Sequence, residues 1–211
     1  MKKILFLLIP AIAFAKYGYS ISQITPEIKK RMIEGNSYRA GCPISLKDLR
    51  YIKVKYIGFD NKEHIGELIV NKSVASDIVN IFRELYSIKY PIRKMELVSN
   101  YNGSDFASIE ADNTSAFNCR FIDGTKKWSN HTYGKAIDIN PIENPYVSKS
   151  GYTSHKKSYP FVARVRKNNS SAYKAMLLKN DKAVKIFKKY GFRWGGDWNC
   201  CKDYQHFDKK K

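Results

Sequence analysis

The sequence predicts an α+β fold in one small domain, and three observations point to it. Residues 51–58 alternate apolar and polar side chains, break at Phe59-Asp60-Asn61-Lys62-Glu63, and resume over 65–70. That is the pattern of two strands joined by a polar turn. Directly after them, Val74, Ile78, Ile81, Phe82 and Leu85 recur at helical spacing behind Ser73, which reads as an amphipathic helix with a core-facing stripe. The chain has 211 residues, of which 43% are hydrophobic and 14% aromatic, enough for one core and no more.

The elements follow in order. Met1-Lys2-Lys3 is a basic start, residues 4–9 are apolar, and Ala11-Ile12-Ala13-Phe14-Ala15 ends in an A-x-A site. Residues 1–15 therefore read as a secretory signal peptide cleaved after Ala15. The run is short for a bilayer and Pro10 interrupts it, and no other stretch is long and apolar enough to span one. Residues 16–37 read as an N-terminal arm with a short helix: Thr25 as N-cap, Pro26 at the first position and Gly35 as its close. His64 falls at the polar turn and is expected in solvent. Ser73 is expected to cap the amphipathic helix, Pro91 to mark its end, and residues 94–99 to form a further strand. Residues 100–128 are rich in Asn, Ser, Asp and Gly and read as a long irregular connection, a kind that is usually functional or disordered. Residues 136–140 alternate like a strand. Residues 141–172 are loop-like and basic, through Lys156, Lys157, Arg164, Arg166 and Lys167, with His155 expected at the surface. Asp181 opens a last helix, with Val184 and Phe187 inward and Gly191 closing it. Gly195-Gly196 permits a sharp turn, Trp194 and Trp198 could wall a pocket or pack in the core, and 209–211 is a basic tail.

Export places the mature chain outside the cytoplasm. The formal net charge is +19, and a basic surface attracts polyanions. Outside the cytoplasm the nearest polyanion is the cell wall, and nucleic acid is excluded as a partner on compartment grounds. Cys42, Cys119, Cys200 and Cys201 make an even count, which in an exported chain suggests disulfides with three possible pairings. Adjacent Cys200 and Cys201 are not expected to bond to each other, since the ring is strained. A bond from Cys119 to either would tie the Arg120 segment to the Asp203 segment. No C-x-x-C spacing supports a cysteine zinc site.

The chemistry concentrates in two places. His131 and Asp138 stand seven positions apart with Gly134 between, and Asp203-Tyr204-Gln205-His206 lies far downstream. In the 136–140 strand, Ile137 and Ile139 take the core face and Asp138 and Asn140 the other. A carboxylate there is costly unless it is paired or bound to metal. We read His131, Asp138 and His206 as three zinc ligands, which leave one tetrahedral position open as catalytic zinc requires. Asp203 is the candidate general base.

These residues carry a resemblance. The run Ser129 to Asp138 fits S-x-H-x-x-G-x-A-x-D, and Asp203 to His206 fits [DE]-x-x-H, the two halves of the pattern of the zinc D-alanyl-D-alanine peptidases of the LAS group. That group includes D,D-carboxypeptidases, vancomycin-resistance dipeptidases and phage endolysins. Flanking pieces resemble its carboxypeptidase-like branch: Thr114-Ser115-Ala116-Phe117-Asn118-Cys119-Arg120, Asp138-Ile139-Asn140-Pro141, Asn144-Pro145 and Gly191-Phe192-Arg193-Trp194-Gly195-Gly196. The resemblance implies an α+β domain over 38–208, with a central antiparallel sheet carrying the zinc and helices on one side, as in hedgehog and D,D-peptidase domains. It implies a zinc metallopeptidase of a bacterial periplasm or cell envelope, acting on peptidoglycan stem peptides, foremost as a D-alanyl-D-alanine carboxypeptidase, with a crosslink endopeptidase next. Arg120 would support the tetrahedral intermediate or the substrate carboxylate. Ser129 and Trp194 would border the substrate. A non-enzymatic, hedgehog-like wall-binding module is the reading from a different class, and the presence of the base Asp203 argues against it. A monomer is expected.

Overall fold

The computed structural model describes residues 17–209. The expected signal peptide and most of the basic tail lie outside the described residues. Among those described, no helix is long and apolar enough to cross a membrane.

Strand β1 (Tyr19–Gln23) and helix α1 (Pro26–Glu34) come first. Thr25 caps α1 by accepting from the Ile28 amide, and Gly35 closes it. Residues 16–37 were expected as an arm. Here β1 pairs antiparallel along β2, and α1 buries Ile28 and Met32 among Leu49, Tyr51, Ile69, Leu97 and Phe117. Strands β2 (Leu49–Gly58) and β3 (Glu63–Asn71) form the expected hairpin. Val54 faces the core, while His64 is exposed at the turn beside Asp60.

Helix α2 (Ala75–Ser87) buries Ile78, Ile81, Phe82 and Leu85. Ser73 does not cap it. Val74 occupies the cap position, and the Ser73 hydroxyl instead donates to Asn71 Oδ1, because the turn leaving β3 offers that acceptor first. The chain continues through β4 (Pro91–Ile92), parallel to the end of β2, and β5 (Lys94–Met95). The strand expected over 94–99 thus stops early, and a 3-10 turn takes residues 98–101.

Within 100–128, α3 (Asp105–Glu110), capped by Ser104, and β6 (Asn113–Thr114) interrupt the irregular chain. Then come β7 (Ala136–Asp138), β8 (Tyr146–Val147), α4 (Ser171–Ala175), α5 (Lys182–Lys189), β9 (Arg193–Trp194), β10 (Lys202–Asp203) and β11 (His206–Asp208). Strands β7, β11 and β9 make a small antiparallel sheet with β11 in the middle. The architecture is a small α+β domain whose sheets are mainly antiparallel, with β4 on β2 and β5 on β6 as the parallel pairs.

The main core lies between the large sheet, α2, α5 and the small sheet. Phe207 of β11 is its link to the site. Its ring stacks 3.9 Å from Phe187 of α5, and its neighbours His206 and Asp208 point the other way along the strand. The basic 141–172 segment is held by Arg164. Its half-buried guanidinium donates to the Glu143, Leu177 and Phe161 carbonyls and to Asn144 Oδ1, and lies 4.2 Å from the Tyr204 ring.

One pairing that the sequence left open is decided, and one expectation fails. Cys119 bonds to Cys42, across 77 residues of chain, and Cys200 and Cys201 are free thiols. The reason is placement: Cys119 enters the second core cluster beside α1 and Cys42. On loop-entropy grounds such a bond stabilises by roughly 4.5 kcal/mol. His155 is buried, not superficial, because Phe106 stacks on its ring at 4.4 Å and Glu110 accepts from or pairs with its Nδ1 at 2.9 Å.

Candidate metal centre

The site begins with a local turn. Ser129 ends extended chain and its Oγ accepts from the His131 amide, starting a one-turn 3-10 helix over Asn130–Tyr133. Gly134 ends that turn at φ +64°, a left-handed conformation where glycine carries no Cβ penalty. A Cβ there would also stand 2.6 Å from the Asn71 amide nitrogen, which donates to the Gly134 carbonyl. The turn is thereby fastened to the end of β3, and the chain reverses into β7.

Strand β7 is braced on both sides. Ser115 and Asp138 exchange two backbone hydrogen bonds of 2.9 Å, and on the other edge His206 sits directly opposite Asp138 in the β7–β11 register. Directly opposed residues in an antiparallel pair share one face. This register therefore sets an imidazole against the carboxylate.

His131, Asp138 and His206 converge, with one potential ligand atom from each lying within 4.8 Å of the others. His131 Nε2 is 3.2 Å from His206 Nδ1 and 3.2 Å from Asp138 Oδ2, and His206 Nδ1 is 3.0 Å from Asp138 Oδ1. The outward nitrogen of His131, Nδ1, faces the Ala116 carbonyl at 2.5 Å. A carbonyl only accepts, so Nδ1 carries a hydrogen, which leaves the inward Nε2 as the nitrogen that can serve a metal. All three residues are buried.

The electrostatics are those of a pocket that favours a cation. Burial pushes the Asp138 carboxyl up, but the charge and hydrogen bonds of His131 and His206 outweigh it and hold the group well below the usual carboxylate range. Burial lowers His206, yet hydrogen bonds and charge from Asp138, Asp208 and Asp203 prevail and raise it to about 10. A site that draws positive charge onto an imidazole so strongly suits a divalent ion in the proton's place. Two nitrogens and a carboxylate are the donor types zinc accepts.

Asp203 lies at the edge of this cluster. Its Oδ1 is enclosed and has no hydrogen-bond partner. Burial pushes its carboxyl up to about 7, against the pull of His206. Its strand β10 pairs with β8, opposing Asp203 to Tyr146, and Gly195 packs so tightly that an added Cβ would lie 2.5 Å from the Asp203 carbonyl oxygen. An unsatisfied carboxylate oxygen beside a cation pocket is a poor structural element and a serviceable proton acceptor.

The other expected site residues are less direct. The Arg120 amide hydrogen-bonds to Thr132 Oγ1, beside His131, and its Nη2 donates to Asp105 at 2.8 Å; its Nε is buried without a partner. Ser129 acts on His131 through the cap just described. Trp194 is buried, stacks near Phe207 and donates through Nε1 to the Tyr204 carbonyl. Trp198 is half-buried, its ring 5.5 Å from that of His206.

One contributor was missed. Asp208 is buried, accepts from Arg193 Nε and Nη2 at 2.9 and 2.6 Å and from Asn130, and faces His206 Nε2 at 3.9 Å. Burial is outweighed by His206 and Arg193, which lower its carboxyl to about 2. The period-two alternation of His206-Phe207-Asp208 could have revealed it, since alternate residues share a face.

A carboxylate next to two inward imidazoles, with a carboxyl oxygen lacking a hydrogen-bond partner nearby, has the donor types that metal-assisted hydrolysis uses. A family model described as D-alanyl-D-alanine carboxypeptidase matches residues 123–209. That span holds His131, Asp138, Asp203 and His206, and the match is consistent with the zinc D-alanyl-D-alanine peptidase group. It supports a metallopeptidase-like hydrolase of the carboxypeptidase kind. No solved structure matches the chain significantly.

Proposed function

We propose that this protein is a zinc-dependent peptidoglycan peptidase that hydrolyses peptide bonds at D-alanine in stem peptides, foremost as a D-alanyl-D-alanine carboxypeptidase of the bacterial cell envelope. The observation that carries the proposal is the convergence of His131 Nε2, His206 Nδ1 and the Asp138 carboxylate within 4.8 Å, with the unpartnered Asp203 Oδ1 alongside. His131, Asp138 and His206 would hold the zinc, which when bound supplies Lewis acidity toward the scissile carbonyl and acidifies water.

The remaining steps belong to the chain. Asp203 in its carboxylate form takes a proton from the attacking water and returns it to the leaving amine. A base titrating near neutrality is ionised at working pH yet gives the proton back readily, and burial in the metal-free chain raises Asp203 in that direction. Arg120 has a partly unpaired guanidinium anchored by Asp105 and would hold the substrate's terminal carboxylate or the oxyanion. Ser129 and the Ala116 carbonyl keep His131 in place, and Trp198 forms part of the rim. The test is incubation of zinc-loaded protein with isolated sacculi and mass analysis of what is released. Loss of a single D-alanine supports the carboxypeptidase. Severed crosslinks assign an endopeptidase, and no change across metals and pH would leave only a binding module.

A further inference from the structure

Cys200 and Cys201 play no part in the account above, yet they stand at the edge of the same site. Their sulfurs are 3.1 Å apart, and both are free thiols, Cys200 exposed and Cys201 partly so. Non-bonded heavy atoms prefer to sit about 3.5–4.0 Å apart, and a disulfide is about 2.05 Å long. The pair is therefore held inside ordinary contact distance, about one ångström from a bond. The only other cysteines in the sequence, Cys42 and Cys119, are bonded to each other. Each of the two free thiols thus has only its neighbour as a partner within the chain.

The surroundings fix the segment at both ends. Cys200 and Cys201 join Trp198, whose ring neighbours His206, to the β10 pair Lys202–Asp203. Lys202 Nζ donates back to the Trp198 carbonyl at 2.6 Å, which folds the segment into a closed turn. The Tyr146 hydroxyl reaches the Cys201 sulfur from β8. The turn holds the two side chains on one side instead of splaying them apart.

The geometry points to Cys200–Cys201 as a redox-reversible vicinal disulfide at the rim of the metal centre. It forms by exchange with a low-molecular-weight disulfide. One cysteine thiolate attacks a sulfur of oxidised glutathione, a mixed disulfide forms and one glutathione thiolate leaves. The neighbouring cysteine thiolate then attacks the protein sulfur of that mixed disulfide, and the second glutathione leaves. Two protein thiols lose two protons and two electrons, and one glutathione disulfide becomes two thiols. An exposed bond in a strained ring has a high reduction potential, so it opens under conditions that leave Cys42–Cys119 intact. Cys119 is fully buried, which shields that bond from attack.

The test uses the purified full chain, with neither zinc nor peptide substrate, so it stands or falls apart from the peptidase reading. The protein is equilibrated in glutathione buffers of graded potential, quenched with an alkylating reagent, and analysed as intact protein and as peptides. In oxidising buffer the expected species is a monomer two hydrogens lighter, with neither Cys200 nor Cys201 alkylated and no glutathione retained. Mild reduction should restore both alkylations together while Cys42 and Cys119 stay blocked. Cys200→Ser should leave Cys201 carrying glutathione or an alkyl group under the same conditions. Stable glutathione adducts on the wild-type pair, covalent dimers through either cysteine, or two alkylatable thiols in the most oxidising buffer would each overturn the inference.

Discussion

Replacing Asp203 by Asn separates the chemistry of this site from its architecture. The substitution keeps the shape of the side chain and removes the proton acceptor. The buried Oδ1 has no hydrogen-bond partner to lose, and the three cluster residues are untouched. Losing a positioned general base costs on the order of a hundred- to ten-thousand-fold in rate, or about 3–5 kcal/mol in the barrier. In the metal-free protein burial raises the Asp203 carboxyl to about 7. The linkage sign is also fixed. A carboxyl whose folded pKa exceeds its unfolded value contributes stability that is present below the unfolded pKa and lost as pH rises through the folded one. Metal-free Asp203→Asn should therefore match or exceed wild-type thermal stability at pH 8. The assay is release of D-alanine from a stem-peptide substrate, with zinc content measured on the same samples. Turnover within about threefold of wild type would refute the assignment as base, and loss of zinc would make Asp203 a ligand or a prop.

Arg120→Lys keeps the charge but loses the planar fork; zinc should be retained and turnover should drop sharply, whereas unchanged turnover would leave Arg120 as only the ion-pair partner of Asp105. Glu143 is buried against Asp112, and burial with that neighbouring carboxylate pushes it up to about 10; its stabilising protonation is complete below the ordinary carboxyl range and is lost as pH rises toward 10, so Glu143→Gln should raise the melting temperature at pH 9 and change it little at pH 5. Phe207→Ala removes a fully buried ring stacked on Phe187 and should cost roughly 3–5 kcal/mol in chemical unfolding; a loss below about 1 kcal/mol would contradict the packing described for β11.

The parts of this molecule legible in the sequence are those with a local signal. The β2–β3 hairpin and the α2 stripe follow from periodicity, the Thr25 cap and Pro26 from residue preferences at a helix start, and the metal cluster from a motif whose glycine the backbone requires. What escaped depends on contacts made far away along the chain. Cys42 meets Cys119 only once α1 and β2 have packed. His155 looks like a polar loop residue until Phe106 and Glu110 close over it. Arg164, one of several basic residues in its segment, becomes the clamp for the Glu143 and Leu177 carbonyls only in the assembled fold. Asp208 is the instructive case: its alternation with His206 was visible, but its importance rests on Arg193 and Asn130 reaching it from two other elements.

The central claim is that His131, Asp138 and His206 together bind one catalytic zinc. Elemental analysis of dialysed protein tests it without any assumption about substrate. Wild type should hold about one zinc per chain, and His131→Ala, Asp138→Ala and His206→Ala, checked for folding by circular dichroism, should each lose most of it. Full zinc occupancy in any two of these variants would contradict the account.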